Sequence, residues 1–242
     1  MIPVRPRKRT FFGAPATRGV DNAPVSAAEQ RAVFMAASVL LDYPGEDFLD
    51  RLKIVGDEAR RMESAAGAEL TEFVRVAQAR GRRDMEIDYV ETFDQRRRCS
   101  LYLTYYAVGD TRQRGAALLA FRQQLRALGF EQDREELPDH LCVILEAAAL
   151  AEPARFGNAV EILSAYRDAL EVLHTALAHQ DSPWVHIIRA VCLALPPLDQ
   201  ETTDRYLELI RSGPPAEMVG LGSPPAFSHA RGRPISRNRN EE

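Results

Sequence analysis

Apolar positions recur at three- and four-residue intervals along almost the whole middle of this chain, and alternation of period two is nearly absent. Ser26-Ala27-Ala28-Glu29 has the form of a capping box, and Val33, Phe34, Ala37, Leu40 and Leu41 follow as an apolar stripe that stops at Tyr43-Pro44. The same spacing predicts helices over 46–62 (Phe48, Leu49, Leu52 and Val55 inward), 68–79 (Leu70, Phe73, Val74, Ala77) and 85–94 (Ile87, Val90, Phe93). Asp110-Thr111 caps a predicted helix over 111–128 that ends at Gly129, and Pro138 suits the first position of one over 138–151. Helices over 154–178, 183–194 (opened by Ser182-Pro183) and 202–211 complete the set. Leu101-Tyr102-Leu103-Thr104-Tyr105 is the nearest approach to a strand, but it is short and has no visible partner. The expected fold is all-α: one bundle-like domain of about nine helices over 26–211, with no internal repeat.

Both ends read differently. Residues 1–25 hold Pro3, Pro6, Pro15 and Pro24, and residues 212–242 hold Gly213-Pro214-Pro215, Gly222-Ser223-Pro224-Pro225 and a polar run. Neither carries enough apolar surface to offset its ordering entropy, so both are expected to be disordered. Arg5, Arg7, Lys8 and Arg9 are followed by no apolar stretch, which argues against a secretory or twin-arginine signal.

Composition adds limits. Apolar residues make up 45% and charged residues 27% of the 242, ordinary values for a folded domain. No apolar run approaches the roughly 18 residues that span a bilayer. Residues 1–25 carry five basic and one acidic side chain and residues 212–242 four and three; with −4 on the whole chain, 26–211 carries −9. An acidic body disfavours nucleic acid and suits a basic partner. Cys99, Cys142 and Cys192 are odd in number and far apart, without zinc spacing, so free thiols in a reducing cytoplasm are expected.

Signatures of catalysis are missing. The five histidines form no HExxH, and Gly109-Asp110-Thr111 lacks the spacing and lysine of a phosphate loop. No metal and no cofactor of its own are expected, and the chain is expected not to be an enzyme.

The segment from Tyr89 to Glu146 stands apart. Tyr89, Phe93, Tyr102, Tyr105 and Tyr106 crowd between two charged clusters, and four of these five are tyrosine, which suits a wall with an apolar body and a polar tip. Packing into an ordinary core is the plainer reading; an aromatic groove for a basic amphipathic peptide is the sharper one. Glu136, Pro138, Asp139 and His140 gather at a helix N-terminus, where acids and proline are favoured anyway. A protonated histidine is disfavoured there, so His140 is expected to be neutral and hydrogen-bonded. Arg96-Arg97-Arg98 reads either as a solvated loop or as an anion contact, and Arg112 and Arg114 as intramolecular partners of the acidic body.

Several of these strings occur together in a known family. Leu40-Leu41-Asp42-Tyr43-Pro44, Tyr89-Val90-Glu91-Thr92-Phe93-Asp94, Cys99-Ser100-Leu101-Tyr102-Leu103-Thr104-Tyr105-Tyr106, Gly109-Asp110-Thr111-Arg112-Gln113-Arg114-Gly115 and Glu136-Leu137-Pro138-Asp139-His140-Leu141 follow one another in order. Over roughly 30–200 the chain resembles the all-helical redox-enzyme maturation chaperones of molybdoenzymes, and within them the delta subunit, or molybdenum cofactor assembly chaperone, of respiratory nitrate reductase. Two positions depart from the pattern: Cys142 where proline is common, and Ala147 where an aromatic is favoured. The expected consequences are a looser helix start and a wider pocket.

The resemblance implies a non-catalytic cytoplasmic protein that binds the N-terminal peptide of the apo catalytic (alpha) subunit. It would hold that subunit competent for molybdenum cofactor insertion before membrane attachment. Tyr89, Phe93, Tyr102, Tyr105 and Tyr106 are then expected to wall the peptide groove, with Glu136, Pro138, Asp139 and His140 at its polar rim and Asp110 and Arg112 supporting the adjoining loop. The expected state is a monomer that neither enters the membrane nor binds nucleic acid. A helical adaptor for a transcription or sigma factor is the alternative, and a nucleotide hydrolase built on Asp110–Arg114 a distant third.

Overall fold

Ser26 caps the first helix as the sequence anticipates: its Oγ accepts from the Glu29 amide at 3.3 Å, and α1 (Ala27–Leu40) buries Val33, Phe34, Ala37 and Leu40. In this computed structural model, residues 25–131 and 136–212 are described; the expectations for the two ends lie, over 1–24 and 213–242, outside the described residues. α2 (Phe48–Ala59), α3 (Ala65–Arg80) and α4 (Arg82–Tyr89) follow, α3 being capped by Ser64 Oγ on the Gly67 amide at 3.3 Å. Then come α5 (Leu103–Val108), α6 (Arg114–Ala127), α7 (Leu141–Leu150), α8 (Phe156–Ala165), α9 (Arg167–Ala178), α10 (Val185–Ala194) and α11 (Gln200–Ser212).

α1 packs against α7 and α10, α3 against α10 and α2, and α9 against α10 and α11. Their shared core holds Phe34, Phe73, Leu145, Leu173 and Ile188, all at most 1% exposed. Burial on this scale contributes about 1.5–3 kcal/mol per large apolar side chain, which is what holds helices of ten to sixteen residues that are marginal alone. Arg31 ties α1 to the end of α7 by donating to the carbonyls of Ala149 (2.9 Å) and Ala151 (2.5 Å). Among the described residues no helix is long and apolar enough to cross a membrane.

The all-α expectation holds, with local differences that shape the site. The predicted helix 85–94 is α4 followed by a π turn over Val90–Asp94, closed by the Gln95 amide on the Val90 carbonyl at 3.1 Å. Helix 154–178 is two helices, broken at Tyr166 (φ −105°, ψ 20°), whose ring packs on Phe121 of α6 at 5.3 Å. The helix expected from Ser182 begins at Val185, after a turn in which the Val185 amide bonds the Ser182 carbonyl. Gly129 ends α6 with φ 83°, the left-handed conformation its position required.

The largest difference lies around Tyr102. Leu101–Leu103 is extended and does find a partner: Leu103 N donates to the Asp139 carbonyl at 3.0 Å, and Leu141 N donates to the Leu101 carbonyl at 2.8 Å. This antiparallel bridge explains why α7 starts at Leu141 and not at Pro138. The Leu101 carbonyl satisfies one orphan amide at the helix start, and Pro138 sits in the preceding turn. Beyond the bridge the chain closes one further short helix, α5, which the alternating apolar pattern did not announce.

Candidate functional site

Between the π turn and the 102–140 bridge lies a cavity of about 320 Å³. One wall is aromatic. Tyr89 and Phe93, one on each side of the α4–π junction, lie ring to ring at 4.9 Å, and Tyr43 meets Tyr89 edge-on at 5.5 Å. Behind them stands Trp184, fully buried, 5.5 Å from both rings and 5.1 Å from Phe73. Its indole N–H donates to Asp88 at 2.9 Å; that carboxylate also accepts from Thr92 at 3.2 Å and pairs with Arg80 at 2.8 Å. A π turn adds one residue to a helical turn. Here it is accommodated with Thr92 buried and bonded back to Asp88, while Asp94 emerges on the cavity side.

The second wall is built by the bridge. Tyr102 stands edge-on to His140 at 5.1 Å, its ring faces the Arg114 guanidinium at 5.5 Å, and its hydroxyl donates to Glu136 at 3.0 Å. Tyr105 leans on Tyr106 at 5.6 Å and completes the wall. Asp110 closes the far end by pairing with Arg114 at 3.1 Å and Arg97 at 3.6 Å. Arg96 donates to Gln180, whose amide reaches the Cys99 sulfur at 3.2 Å, so the arginine run is anchored to the turn after α9 at its first residue and to Asp110 at its second.

Burial controls the protonation of these walls. It pushes the Tyr102 phenol up to about 12, with Glu136 adding to the effect, and also raises Tyr105. His140 is pulled below its ordinary value by burial, against the opposing pull of Glu136, Asp139 and Asp42. The imidazole in the wall is therefore neutral near pH 7, but the hydrogen bond expected for it is not formed at Nδ1, which has no partner among the described residues. Cys99 and Cys192 are driven up by burial, which leaves them poor nucleophiles. No group of three or more His, Cys, Asp or Glu side chains placed to hold a metal occurs among the described residues.

Tyr89, Phe93, Tyr102, Tyr105, Glu136, His140 and Asp110 thus line one cavity. The remaining expected residues sit elsewhere. Tyr106 is 1% exposed and donates to the Ser100 carbonyl at 2.9 Å, pinning the chain behind the wall. Asp139 is fully buried: its Oδ2 accepts from the Thr104 hydroxyl at 2.5 Å and the Thr104 amide at 3.2 Å, so it caps α5 and does not stand at a rim. Pro138 is buried in the turn, and Arg112 lies on the exposed surface outside the lining. Asp110 pairs with Arg97 and Arg114 and borders the cavity.

Sequence reasoning passed over Trp184, Asp94 and the role of Arg97. Trp184 carried a signal, being the sole tryptophan of the chain beside a Ser-Pro helix start. Neither family departure lines the cavity, although Cys142 lies close enough to Tyr89 to act on its phenol. Cys142 is buried, with its carbonyl accepting from Ser38 at 2.8 Å, and Ala147 faces the core at 1% exposure, so neither widens this pocket.

Comparison with known proteins agrees with this segment. The chain is 36% identical over 160 residues to the nitrate reductase-like protein NarX of Mycobacterium tuberculosis, a match covering 66% of this chain and 24% of that protein. It is 27% identical over 175 residues to the probable nitrate reductase molybdenum cofactor assembly chaperone NarJ of Bacillus subtilis, covering 71% of this chain and 92% of the relative. The nitrate reductase molybdenum cofactor assembly chaperone NarJ of Escherichia coli matches at 33% over 99 residues, 41% of each chain. The chain therefore spans about a quarter of the mycobacterial relative and nearly all of the Bacillus one. The profile of the nitrate reductase delta subunit matches residues 59–189, more than half of the sequence and all of the cavity's walls, and the chain belongs to that family.

Proposed function

We propose that this protein is a system-specific, non-catalytic chaperone for the assembly of respiratory nitrate reductase. In this reading it binds the N-terminal peptide of the apo catalytic subunit and keeps that subunit open for molybdenum cofactor insertion before membrane attachment. The observation that carries the reading is the aromatic cavity of Tyr89, Phe93, Tyr102 and Tyr105, on a helical body, in a family whose members include named cofactor assembly chaperones. A cavity of about 320 Å³ accommodates one or two apolar side chains of a peptide laid across it.

Release follows from differential affinity. The chaperone favours the state in which the segment is free, and a partner that folds the segment into its own structure shifts the equilibrium away from the complex. The rim proposed for this groove is Glu136 and His140; Asp139 acts by holding Thr104 and the start of α5. Residues 26–211 are proposed as the folding unit, working as a monomer in the cytoplasm.

Calorimetric titration of the full chain with the N-terminal peptide of the nitrate reductase catalytic subunit from the same source, at two salt concentrations, tests this. Binding that weakens at high salt is the expected result. A folded protein that ignores the intact peptide at both concentrations rules the reading out.

A further inference from the structure

The charges around the cavity are not evenly distributed. At one end Asp110 is shared by Arg97 and Arg114, an arrangement with more positive than negative charge. At the other, Asp94 and Glu136 both border the cavity, and Asp42 follows on beside Tyr43, whose ring touches Tyr89. Asp42 is engaged by Arg51 at 3.2 Å, and Glu136 accepts from the Tyr102 hydroxyl and the Leu137 amide. Among the three carboxylates lining the cavity, only Asp94 has no hydrogen bond or ion pair with any described residue. A second wall group is also unsatisfied: His140, 8% exposed, has no described partner at Nδ1.

We propose that Asp94 is a specificity-determining residue of this cavity, receiving one guanidinium or ammonium group whose apolar stem lies along Phe93 and Tyr89. This deepens the peptide-groove reading and rests on it for the identity of the natural ligand. Long basic side chains bury their methylenes on aromatic surface and leave the charge to a carboxylate, and an arginine adds attraction to the ring faces. The Arg97–Asp110–Arg114 end repels a second cation. An occupant with one basic residue next to an apolar one is therefore accepted in a single direction, cation toward Asp94.

Trp184, the sole tryptophan, touches Phe93 and Tyr89 and so reports occupancy of this end by its fluorescence. The test titrates the wild-type full chain and Asp94→Asn with the catalytic-subunit peptide and with versions in which each arginine or lysine is replaced by citrulline or glutamine. One replacement should weaken wild-type binding about fivefold, the upper end for an exposed ion pair, and leave the D94N affinity unchanged. If D94N binds the native peptide as tightly as wild type, the assignment of Asp94 is overturned while the groove reading stands. If wild type binds no peptide, the groove reading falls, and N-acetyl-arginine-amide against N-acetyl-citrulline-amide decides the cation site. A Trp184 response to the arginine compound that D94N abolishes supports it; equal responses, or none, overturn it.

Discussion

The core of α1, α3, α7 and α10 and the face built by residues 89–114 and 136–140 are held by different forces. In the core, apolar side chains meet between regular helices, and almost any residue of similar volume and hydrophobicity sustains the contact. On the face, a π turn, an isolated antiparallel bridge and a six-residue helix are fixed by named hydrogen bonds: Thr92 to Asp88, Leu103 to Asp139, Leu141 to Leu101, and Thr104 to Asp139. α7 belongs to both, burying Leu141 through Leu145 on the core side while His140 at its start enters the cavity. A core needs only to be filled, whereas a binding wall needs particular atoms in particular places, and directional bonds supply that placement.

Four experiments separate the two regions, in order of expected effect. Phe34→Ala removes a fully buried ring that meets Phe156 at 6.3 Å, and should lower unfolding free energy by about 3–5 kcal/mol in denaturant titration. Peptide affinity of the remaining folded protein should not change, because no wall residue is touched.

Asp139→Ala leaves Thr104 and the start of α5 without their acceptor, and should cost about 1–3 kcal/mol of stability. It should also weaken peptide binding equally at low and high salt, since a buried cap shapes the wall without meeting the ligand's charge. A loss confined to low salt would return Asp139 to the rim.

The third experiment is a pH series. His140 and His174 are both held below the ordinary histidine value of 6.5 by burial. The unfolded chain then binds more protons than the folded one, so their contribution to stability is complete above about pH 6.5 and is lost as pH falls through the folded values. Melting temperature should decline from pH 7.5 to pH 5, and His140→Gln should flatten part of that decline. An identical slope in the variant removes His140 as a contributor.

Smallest of all, Tyr102→Phe deletes the hydroxyl bond to the exposed Glu136 and keeps the ring against His140 and Arg114. Stability should fall by about 0.5 kcal/mol, in keeping with a bond open to water, and Glu136→Gln should behave alike.

The regions differ in the same way in how readily they are read from sequence. Helical periodicity located the stripes of α1 and α3 and that of α2 apart from Leu49, which is 51% exposed, while Ile87 of the next predicted stripe also faces outward; local chemistry marked Ser26 as a cap and Gly129 as a left-handed terminus. These signals are local, three to four residues long, so they survive without knowledge of the fold. The aromatic wall was legible by composition: Tyr89, Phe93, Tyr102 and Tyr105 were expected together and line one cavity. Tyr106 was grouped with them because sequence neighbours share a label, yet two adjacent residues on a short helix point in different directions. Asp139 was placed at a rim because charge usually means exposure; Thr104, 35 residues earlier, provides the bonds that let it be buried.

What the sequence determined by itself is the all-helical class, the spans of most helices, the family and the stretch that carries the site. Each depends on patterns within a few turns of chain. Only tertiary structure decided that Leu101–Leu103 pairs with 139–141, that Trp184 backs the aromatic wall from nearly a hundred residues away, and that Asp94 faces the cavity without a partner among the described residues. Those outcomes depend on hydrogen bonds and ring contacts between segments distant in sequence, and no local spacing encodes which distant group will meet which.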